Sequence, residues 1–330
     1  LGYGLREVIL FYGLMTIAFA LSGVAALKVV SKFGVRHSMI YSYFFLIASF
    51  VMLIFLKDYS SLLFYIAFIQ GFSFGLFWIG FHVDFALHAH KKNIGKQSGI
   101  LSFSSIIGAV TGPMLGALLI KYFGFNIMFS VALSLFIISF LPLLFSKDEY
   151  PKTSFNLKKY FKKEYIKYFL GYFSQGIRST VLTVFWPIFV YLILQSYMSL
   201  GWLATLSTML IGIMCYVVGK YSDTFGKSKM IRLFAPIGAV FSGLRIFAWD
   251  IWSIFTIGLL DSVLMTGVDV PLLAKTYKRA KKEEIAGFIF FRETALRAGE
   301  VFILLFMLIF ASLKASLVVS ALSNLLYLLF

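Results

Sequence analysis

The chain is a succession of long apolar stretches separated by short polar breaks. The stretches predict eleven helical spans, with approximate bounds 8–29, 38–56, 62–87, 97–120, 126–146, 166–194, 199–219, 230–249, 251–273, 286–312 and 314–330. Each is close to the ~20 residues that an α-helix needs to cross ~30 Å of hydrocarbon. Strands of a membrane β-barrel would instead alternate between apolar and polar positions. The pattern therefore predicts an all-α polytopic membrane protein.

The composition agrees with that class. Hydrophobic residues make up 60% of the 330 positions and charged residues 13%, whereas a soluble domain carries about 25% charged residues. The mean hydropathy is +0.91. The one cysteine, Cys215, lies inside an apolar stretch, so neither a disulfide framework nor a cysteine metal site is expected.

Positive charge is concentrated in alternate polar breaks. Of the 30 Lys and Arg residues, 22 lie near 28–37, 88–96, 147–167, 220–232 and 275–285. Because Lys- and Arg-rich loops remain in the cytoplasm, these breaks are predicted to be cytoplasmic. The topology accounts for the net charge of +16, and we predict no nucleic-acid partner.

The longest polar segment divides the chain into two helical bundles. The predicted domains are an N-terminal bundle (1–146), a basic cytoplasmic linker (147–167) and a C-terminal bundle (168–330). Two interpretations of the linker stay open. It is either a basic amphipathic stretch on anionic lipid headgroups or a solvated connector.

A charged loop pattern occurs twice. The stretch GKYSDTFGKSK (219–229) lies between two predicted spans, and KVVSKFGVRHSM (28–39) matches it weakly when the two Phe-Gly pairs are aligned. Such internal similarity is a feature of transporters built from two halves. Asp223 is placed to bond the N-terminal end of a neighbouring helix, whose dipole favours an anion. The first copy has Ser31 at this position, so a charge latch is expected to be lopsided.

The second copy resembles the loop signature of the major facilitator superfamily, Gly-x-x-x-Asp-(Arg/Lys)-x-Gly-x-(Arg/Lys)-(Arg/Lys). It matches at Gly219, Asp223, Gly226 and Lys229 and departs at Thr224 and Ser228. The resemblance implies two pseudo-symmetric six-helix bundles, in which the eleven spans are helices 2–12 and helix 1 is absent from this sequence. The implied gating loop comprises Gly219, Asp223, Gly226, Lys227 and Lys229, with Gly34 and Arg36 in the first copy.

A second signature, GILSFSSIIGAVTGPMLGA (99–117), resembles the helix-5 pattern of the drug/proton antiporter-like branches. The matching residues are Gly99, Gly108, Gly112, Pro113 and Gly116, and Ala117 departs. Glycines at intervals of four form a smooth face on which helices approach closely, and Pro113 can kink the helix. The alternative is ordinary transmembrane packing.

Several ionisable residues fall inside predicted spans, where a charge costs at least ~2.5–3.5 kcal/mol at the membrane centre. Glu293, Arg297 and Glu300 share one helical face because of their spacing. The predicted network comprises Asp261, Glu293, Arg297 and Glu300, with Asp269 and Arg292 nearer the cytoplasm and Asp84 in another span. Substrate or proton coupling and a static ion network are both open interpretations.

Gln175 and Arg178 lie on one face of the sixth span. The resemblance places this span, helix 7 of the family, beside the substrate cavity, so Arg178 is predicted to meet an anionic substrate group or else to be structural. Arg245 is predicted to be an anchor near the outer interface. At Ala67 the chain lacks the arginine of the family's helix-4 motif, which weakens proton antiport by that route.

Other chemistry is not indicated. His82, Asp84, His88 and His90 cluster in the sequence, but solvated histidines are commoner than metal ligands, and we predict no metal or cofactor. The sequence contains no Walker loop, HExxH or GxSxG motif. Neither an ATP-driven pump nor an enzyme is therefore expected.

The predicted function is secondary active transport by alternating access, with ion-gradient-coupled efflux of small amphipathic compounds. Uptake of a polar metabolite and a non-transporting receptor or assembly factor are the alternatives. The expected partners are a small-molecule substrate, a coupling ion (proton or sodium) and the lipid bilayer. We expect a monomer in a bacterial or archaeal plasma membrane.

Overall fold

The computed structural model describes residues 3–90, 92–151, 159–160 and 162–330. All regular secondary structure in these residues is helical. Inside a bilayer the backbone N–H and C=O groups have no water to bond, and helices satisfy these groups within one segment. Long apolar stretches therefore become helices.

Four helices precede the linker in the described chain. They are α1 (Leu5–Phe33), α2 (Val35–Ile54), α3 (Leu62–His88) and α4 (Ile94–Phe145). The turn between α1 and α2 is Gly34, at a φ of 98° that glycine adopts without steric cost. A φ of 80° and a ψ of 177° at Gly124 interrupt α4. Its two arms, 94–123 and 125–145, correspond to the spans predicted at 97–120 and 126–146.

Seven helices follow the linker within the described residues. They are α5 (Ile166–Thr180), α6 (Trp186–Leu194), α7 (Tyr197–Phe225), α8 (Lys227–Leu244), α9 (Ile251–Ala280), α10 (Ile285–Phe310) and α11 (Leu313–Ser323). Short 3₁₀ turns extend α8 over Arg245–Phe247 and α11 over Asn324–Leu329. Side chains of Ser196, Asp250 and Ser312 cap the N-termini of α7, α9 and α11.

α5 and α6 form one bent span through a π-helical turn at Val181–Phe185. Pro187 at the start of α6 has no N–H to donate to the preceding helical turn. The wider π-helical turn accommodates this loss. Turns of this kind are frequent at functional sites.

Eight helical segments are long and apolar enough to cross a membrane, counted over the described residues: α1, α2, α3, α4, the α5–α6 span, α7, α8 and α9. This count takes α4 as one span, and it leaves out α10 because that helix contains several charged residues. Large apolar side chains are exposed on the outer faces, as at Leu21 (60%), Ile138 (61%) and Val240 (62%). The all-α polytopic membrane class is confirmed, and the number eleven stays a prediction.

The first half (α1–α4) meets the second half (α5–α11) along two seams, α4 against α7 and α1 against α10. At the α4–α7 seam, a Cβ added to Gly99 would lie 2.7 Å from the Cα of Gly219. Further along, the hydroxyl of Thr205 donates to the carbonyl of Val110 at 3.0 Å. The backbones of Gly99 and Gly219 therefore approach closely at this seam.

The later glycines of the helix-5 signature do not make such contacts. A Cβ added at Gly108, Gly112 or Gly116 would meet nothing within 4 Å among the described residues. At ~100° per residue, Gly108 lies about half a turn around the helix from the first glycine of the signature. The carbonyl of Pro113 does face α7, since it lies 3.1 Å from a Cβ added to Gly201. Pro113 leaves the helix unbroken, and the interruption comes at the end of this arm instead.

The α4–α7 seam gives a direct test of backbone packing. We expect Gly99→Ala to lower Tm by about 2–6 °C, because an overpacked contact between two backbones costs about 1–3 kcal/mol. The matched control is Gly243→Ala in α8, where the added Cβ would meet Ala321 Cβ at an ordinary 3.7 Å. Thermal unfolding of the purified proteins in detergent measures both. Equal Tm values for the two variants would contradict the close approach.

Candidate functional site

Four charged side chains occupy the buried side of α10. Arg292, Glu293, Arg297 and Glu300, here called the α10 cluster, have side chains between 5% and 19% exposed. Arg297 Nη1 lies 2.8 Å from Glu300 Oε2, and Arg297 Nη2 lies 3.7 Å from Glu293 Oε2. Arg292 pairs with Glu293. Spacings of three and four residues produce the Arg297 pairs on one helix, whereas a coupling role for these residues stays a prediction.

The α10 cluster also reaches two helices of the first half. The hydroxyl of Thr16 on α1 donates to Glu300 Oε2 at 3.1 Å. On α3, His82 Nε2 lies 3.8 Å from Glu293 Oε1. The guanidinium of Arg297 lies 4.0 Å from the ring centre of Phe19 on α1, a cation–π contact. Charged groups of α10 therefore join the two halves.

His82 belongs to this interhelical contact rather than to a histidine cluster. Its Nδ1 lies 2.7 Å from the hydroxyl of Tyr277 on α9. Asp84 and His88 are instead half-exposed at the end of α3, with their side chains 3.5 Å apart. The described residues contain no group of three or more His, Cys, Asp and Glu suited to a metal ion.

The prediction that Asp261 joins the α10 cluster is wrong. Asp261 Oδ2 lies 2.8 Å from Arg245 Nη2, and its other oxygen accepts a hydrogen bond from Ser242 on α8. Asn324 donates in turn to the Ser242 hydroxyl at 2.9 Å. Asp261 lies on a face of α9 that packs against α8. Its partner is therefore decided by the direction in which its side chain points and not by its depth in the membrane.

Arg245 is buried, so the prediction of an interfacial anchor is also wrong. It is 2% exposed, and its guanidinium lies 4.4 Å from the ring centre of Trp186. Its Nη2 atom donates to the carbonyl of Gly258 at 3.2 Å. Its Nε and Nη1 atoms are buried and have no hydrogen-bond partner among the described residues. The ion pair with Asp261 holds this arginine inside the bundle.

Arg178 and Asp269 form a second ion pair within the second half. Arg178 Nη1 donates to Asp269 Oδ2 at 2.7 Å, and the two side chains are 9% and 33% exposed. Asp269 is therefore joined to α5 rather than to Arg292. On the same helix, Gln175 is half-buried, and its Oε1 atom has no partner in the described chain. Contact of Arg178 with a substrate anion stays a prediction.

A cavity of about 390 Å³ lies between the α5–α6 span, α7 and α9. Its wall includes Thr183 of the π-helical turn, Trp186, Ser207 of α7, Phe255 of α9 and Arg245. This volume falls within the usual range for small-molecule sites. The cavity combines an aromatic surface with a buried cation, and it is the candidate substrate site.

The second copy of the loop pattern closes one end of the α4–α7 seam. Asp223 accepts hydrogen bonds from the backbone N–H groups of Gly95 at 3.1 Å and Lys96 at 2.8 Å. These groups form the first turn of α4, where the helix dipole favours an anion. Lys227 Nζ lies 2.5 Å from the same carboxylate, and Gly226 makes the turn at a φ of 88°. The predicted contact of Asp223 with a neighbouring helix end is confirmed.

The first copy of the loop pattern is bonded to an acid, Asp148, that follows α4 at the start of the linker. The backbone N–H of Arg36 donates to Asp148 Oδ1 at 2.9 Å, and Arg36 Nε lies 3.5 Å from Asp148 Oδ2. His37 pairs with the same carboxylate. The acid comes from the residues after α4, because the loop has Ser31 where an acid would stand. Between these two loops, the acid of the second alone crosses to the other half, which is the predicted asymmetry. Lys229 in the second loop is exposed.

A family model described as the Major Facilitator Superfamily matches residues 1–291. The chain belongs to the major facilitator superfamily. The predicted family and fold are therefore confirmed. The protein is a membrane transporter rather than an enzyme, and transporters of this superfamily bind small-molecule substrates within the membrane.

Known proteins are similar to this chain in sequence or in fold. The uncharacterized protein YqgE of Bacillus subtilis (strain 168) is 26% identical over 318 residues, which cover 90% of this chain and 72% of YqgE. The structure of the human organic anion transporter MFSD10 (TETRAN) matches with a TM-score of 0.68 at 15% identity, over 98% of this chain and 83% of that one. The transporter FucP in its outward conformation matches with a TM-score of 0.68 at 12% identity, over 98% and 95%.

The described end of the linker is anchored to the turn between α9 and α10. Glu283 lies 2.5 Å from Lys159 Nζ and 2.8 Å from Arg279 Nη2, and it accepts a hydrogen bond from Tyr165 at 3.0 Å. Burial raises the pKa of this carboxyl, but Lys159, Tyr165 and Arg279 outweigh it and hold the pKa below its usual value. Residues 152–158 and 161 of the predicted linker lie outside the described residues, so both interpretations of it stay open.

The linker anchor predicts a pH-dependent stability of the transporter. Because the pKa of Glu283 is lowered in the folded state, its stabilisation is present at neutral pH and is lost as the pH falls below about 4.5. We expect Glu283→Gln to lower Tm by about 1–3 °C at pH 7, with the difference shrinking in acid. Thermal unfolding in detergent across this pH range measures the effect, and the exposed Glu164→Gln is the control. A difference that persists unchanged in acid would refute the ion pairing.

Proposed function

We propose that the transporter works by alternating access and couples a proton gradient to the efflux of small amphipathic compounds from a bacterial or archaeal cell. One observation carries this proposal: a buried charged cluster on α10 makes polar contacts with Thr16 and His82 of the opposite half. In this proposal the basic loops of the transporter lie on the cytoplasmic side of the plasma membrane. The two halves rock against each other along the α4–α7 and α1–α10 seams.

Proton binding at Glu300 changes the strength of the α1–α10 seam. The ionised carboxylate pairs with Arg297 and accepts the Thr16 hydrogen bond at one oxygen. Protonation removes the carboxylate charge from this pair and leaves Glu293 as the one carboxylate of the cluster, shared by Arg292 and Arg297. The excess positive charge is costly in a low dielectric. The halves then separate more easily, and release of the proton restores the contact.

A proton suits this cluster better than a sodium ion. Each carboxylate of the α10 cluster faces a guanidinium, and two fixed arginines repel an additional metal cation. A proton neutralises one carboxylate without a shell of oxygen ligands. His82 adds an imidazole to this contact. It lies on α3, the helix in which Ala67 replaces the family's antiporter arginine.

Efflux is supported by the helix-5 signature, which resembles that of antiporter branches at Gly99, Pro113 and the glycines between and after them. Gly99 and the carbonyl of Pro113 face α7 in this structure. The signature residues thus contribute to the seam along which the halves move. Uptake of a polar metabolite by the same fold is the alternative, and the direction of gradient-driven flux decides between them.

The transport test uses proteoliposomes that contain the pH-sensitive dye pyranine. Amphipathic anions, cations and neutral compounds are added to vesicles with and without an imposed proton gradient. We expect at least one compound to move against the proton flow, with loss of this movement when a protonophore is present. A requirement for sodium would reject proton coupling. Binding without flux of any compound would favour a receptor.

Glu300→Gln tests the coupling group directly. The amide mimics the protonated carboxyl, so we expect proton movement driven by substrate to fall at least about tenfold, while gradient-free substrate exchange continues. Pyranine fluorescence and radiolabelled exchange measure the two processes in the same vesicles. Glu164→Gln, at an exposed position, is the matched control. Equal loss of both processes would instead indicate a static structural role.

Asp223→Asn tests the closing contact at the end of α4. The amide keeps an oxygen acceptor but loses the negative charge that interacts favourably with the α4 dipole and with Lys227. We expect flux to slow by about two- to fivefold, which corresponds to a dipole contribution of about 0.3–1 kcal/mol. Membrane insertion and Tm should change little. Unchanged flux in the proteoliposome assay would remove Asp223 from the gate.

A further inference from the structure

We propose that the cavity between the α5–α6 span, α7 and α9 binds the anionic group of an amphipathic organic anion, with Arg245 as its cationic ligand. This inference rests on the proposed transport function and names its substrate class. The cavity has a volume of about 390 Å³, enough for a body of one or two aromatic rings with a carboxylate.

The unused donors of Arg245 are the first argument. A guanidinium has five N–H donors. In Arg245 the Nη2 atom is occupied by Asp261, the carbonyl of Gly258 and the Ser262 hydroxyl. The Nε and Nη1 atoms, which carry the other three N–H groups, are buried and unpartnered in the described chain. Buried donors are normally satisfied, and these belong to a residue that lines the cavity.

The geometry around Arg245 fits a carboxylate. The guanidinium is held on one face by Trp186 at 4.4 Å and on one edge by Asp261. In a guanidinium the Nε–H bond lies beside Nη2 and not beside Nη1, so Nη1 offers its two N–H groups separately from Nε. A carboxylate or a related oxyanion accepts a charge-assisted hydrogen bond from such a group.

The rest of the wall fits the apolar body of the ligand. Trp186, Pro187 and Phe255 supply flat apolar surface, and Leu203 and Ile254 extend it. A few hydroxyls, those of Thr183, Ser207, Thr208 and Ser262, provide secondary polar contacts. A small number of polar groups in an apolar cavity is the usual form of a small-molecule site. The π-helical turn places Thr183 on this wall.

The sign of the ligand charge follows from which partner faces the cavity. Arg245 lines it, whereas Asp261 is 1% exposed behind the arginine and bonds Ser242 on α8. A cationic ligand would meet the guanidinium first. Asp261 neutralises part of the arginine charge, so it weakens the attraction for an anion and is expected to compete with the ligand.

The test is equilibrium dialysis of the full transporter in detergent, without any gradient. The probes share one skeleton: radiolabelled naphthylacetate, the neutral naphthylethanol and the cationic naphthylethylammonium. We expect the anion to bind at least about tenfold more tightly than the cation, in keeping with a charge-assisted hydrogen bond. Equal or tighter binding of the cation, or no saturable binding of the anion, would overturn the proposal.

Variants assign the anion binding to Arg245. Arg245→Gln should weaken naphthylacetate binding at least about tenfold, and Arg232→Gln, an exposed arginine on the same helix, should leave it unchanged. Asp261→Asn should strengthen binding because it removes the competing carboxylate. The double variant Arg245→Met with Asp261→Leu removes both charges, so no unpaired charge stays buried and the double variant is expected to fold even where a single variant does not. Undiminished binding in this double variant would also overturn the proposal.

The outcome separates this inference from the proposed function. Arg245-dependent anion binding without proton-coupled flux would reject the coupling mechanism and leave the binding site in place. Proton-coupled flux of cations or neutral compounds, with no Arg245-dependent anion binding, would reject the substrate class alone. The two results come from different preparations, detergent solution for binding and sealed vesicles for flux.

Discussion

The pairing of buried charge is the constraint on which this transporter depends. Among the described residues, four arginines (Arg178, Arg245, Arg292 and Arg297) lie inside the helix bundle, and each has a carboxylate within ion-pair distance. An isolated charge in a low-dielectric interior is strongly destabilising, whereas a paired charge is tolerated. The helices of the second half can therefore pack only in arrangements that bring these partners together.

The ion pairs differ in what they join, and this difference separates structure from mechanism. Arg178–Asp269 and Arg245–Asp261 join helices within the second half, so movement between the halves leaves them intact. The α10 cluster faces Thr16 and His82 across the seam. A change in its charge is therefore felt by both halves at once. Pairs of the first kind hold the cavity in shape, and the second kind is suited to coupling.

The sequence predicts contacts within one helix better than contacts between helices. The apolar stretches and the spacing of Glu293, Arg297 and Glu300 follow from chain length and helix period alone, and both appear in the structure. The partner of Asp261 could not be obtained in this way, because it depends on the direction in which α9 turns its face. The location of Arg245 was predicted wrongly for the same reason, because its position near a helix end indicated an anchor at the membrane interface.

The two seams also resist movement in different ways. At the α4–α7 seam, the backbones of Gly99 and Gly219 approach closely and apolar side chains such as Ile106 pack against Gly212, so the resistance within the seam comes from packing rather than from charge. Asp223 adds an electrostatic contact at one end of this seam, but the acid that pairs with the first loop, Asp148, lies at the start of the linker and does not bond to the second half through this contact. The second loop therefore opposes separation of the halves through Asp223 more than the first loop does. The remaining contact between the halves lies with the α10 cluster, and under the mechanism proposed above the protonation of its carboxylates controls the conformational change.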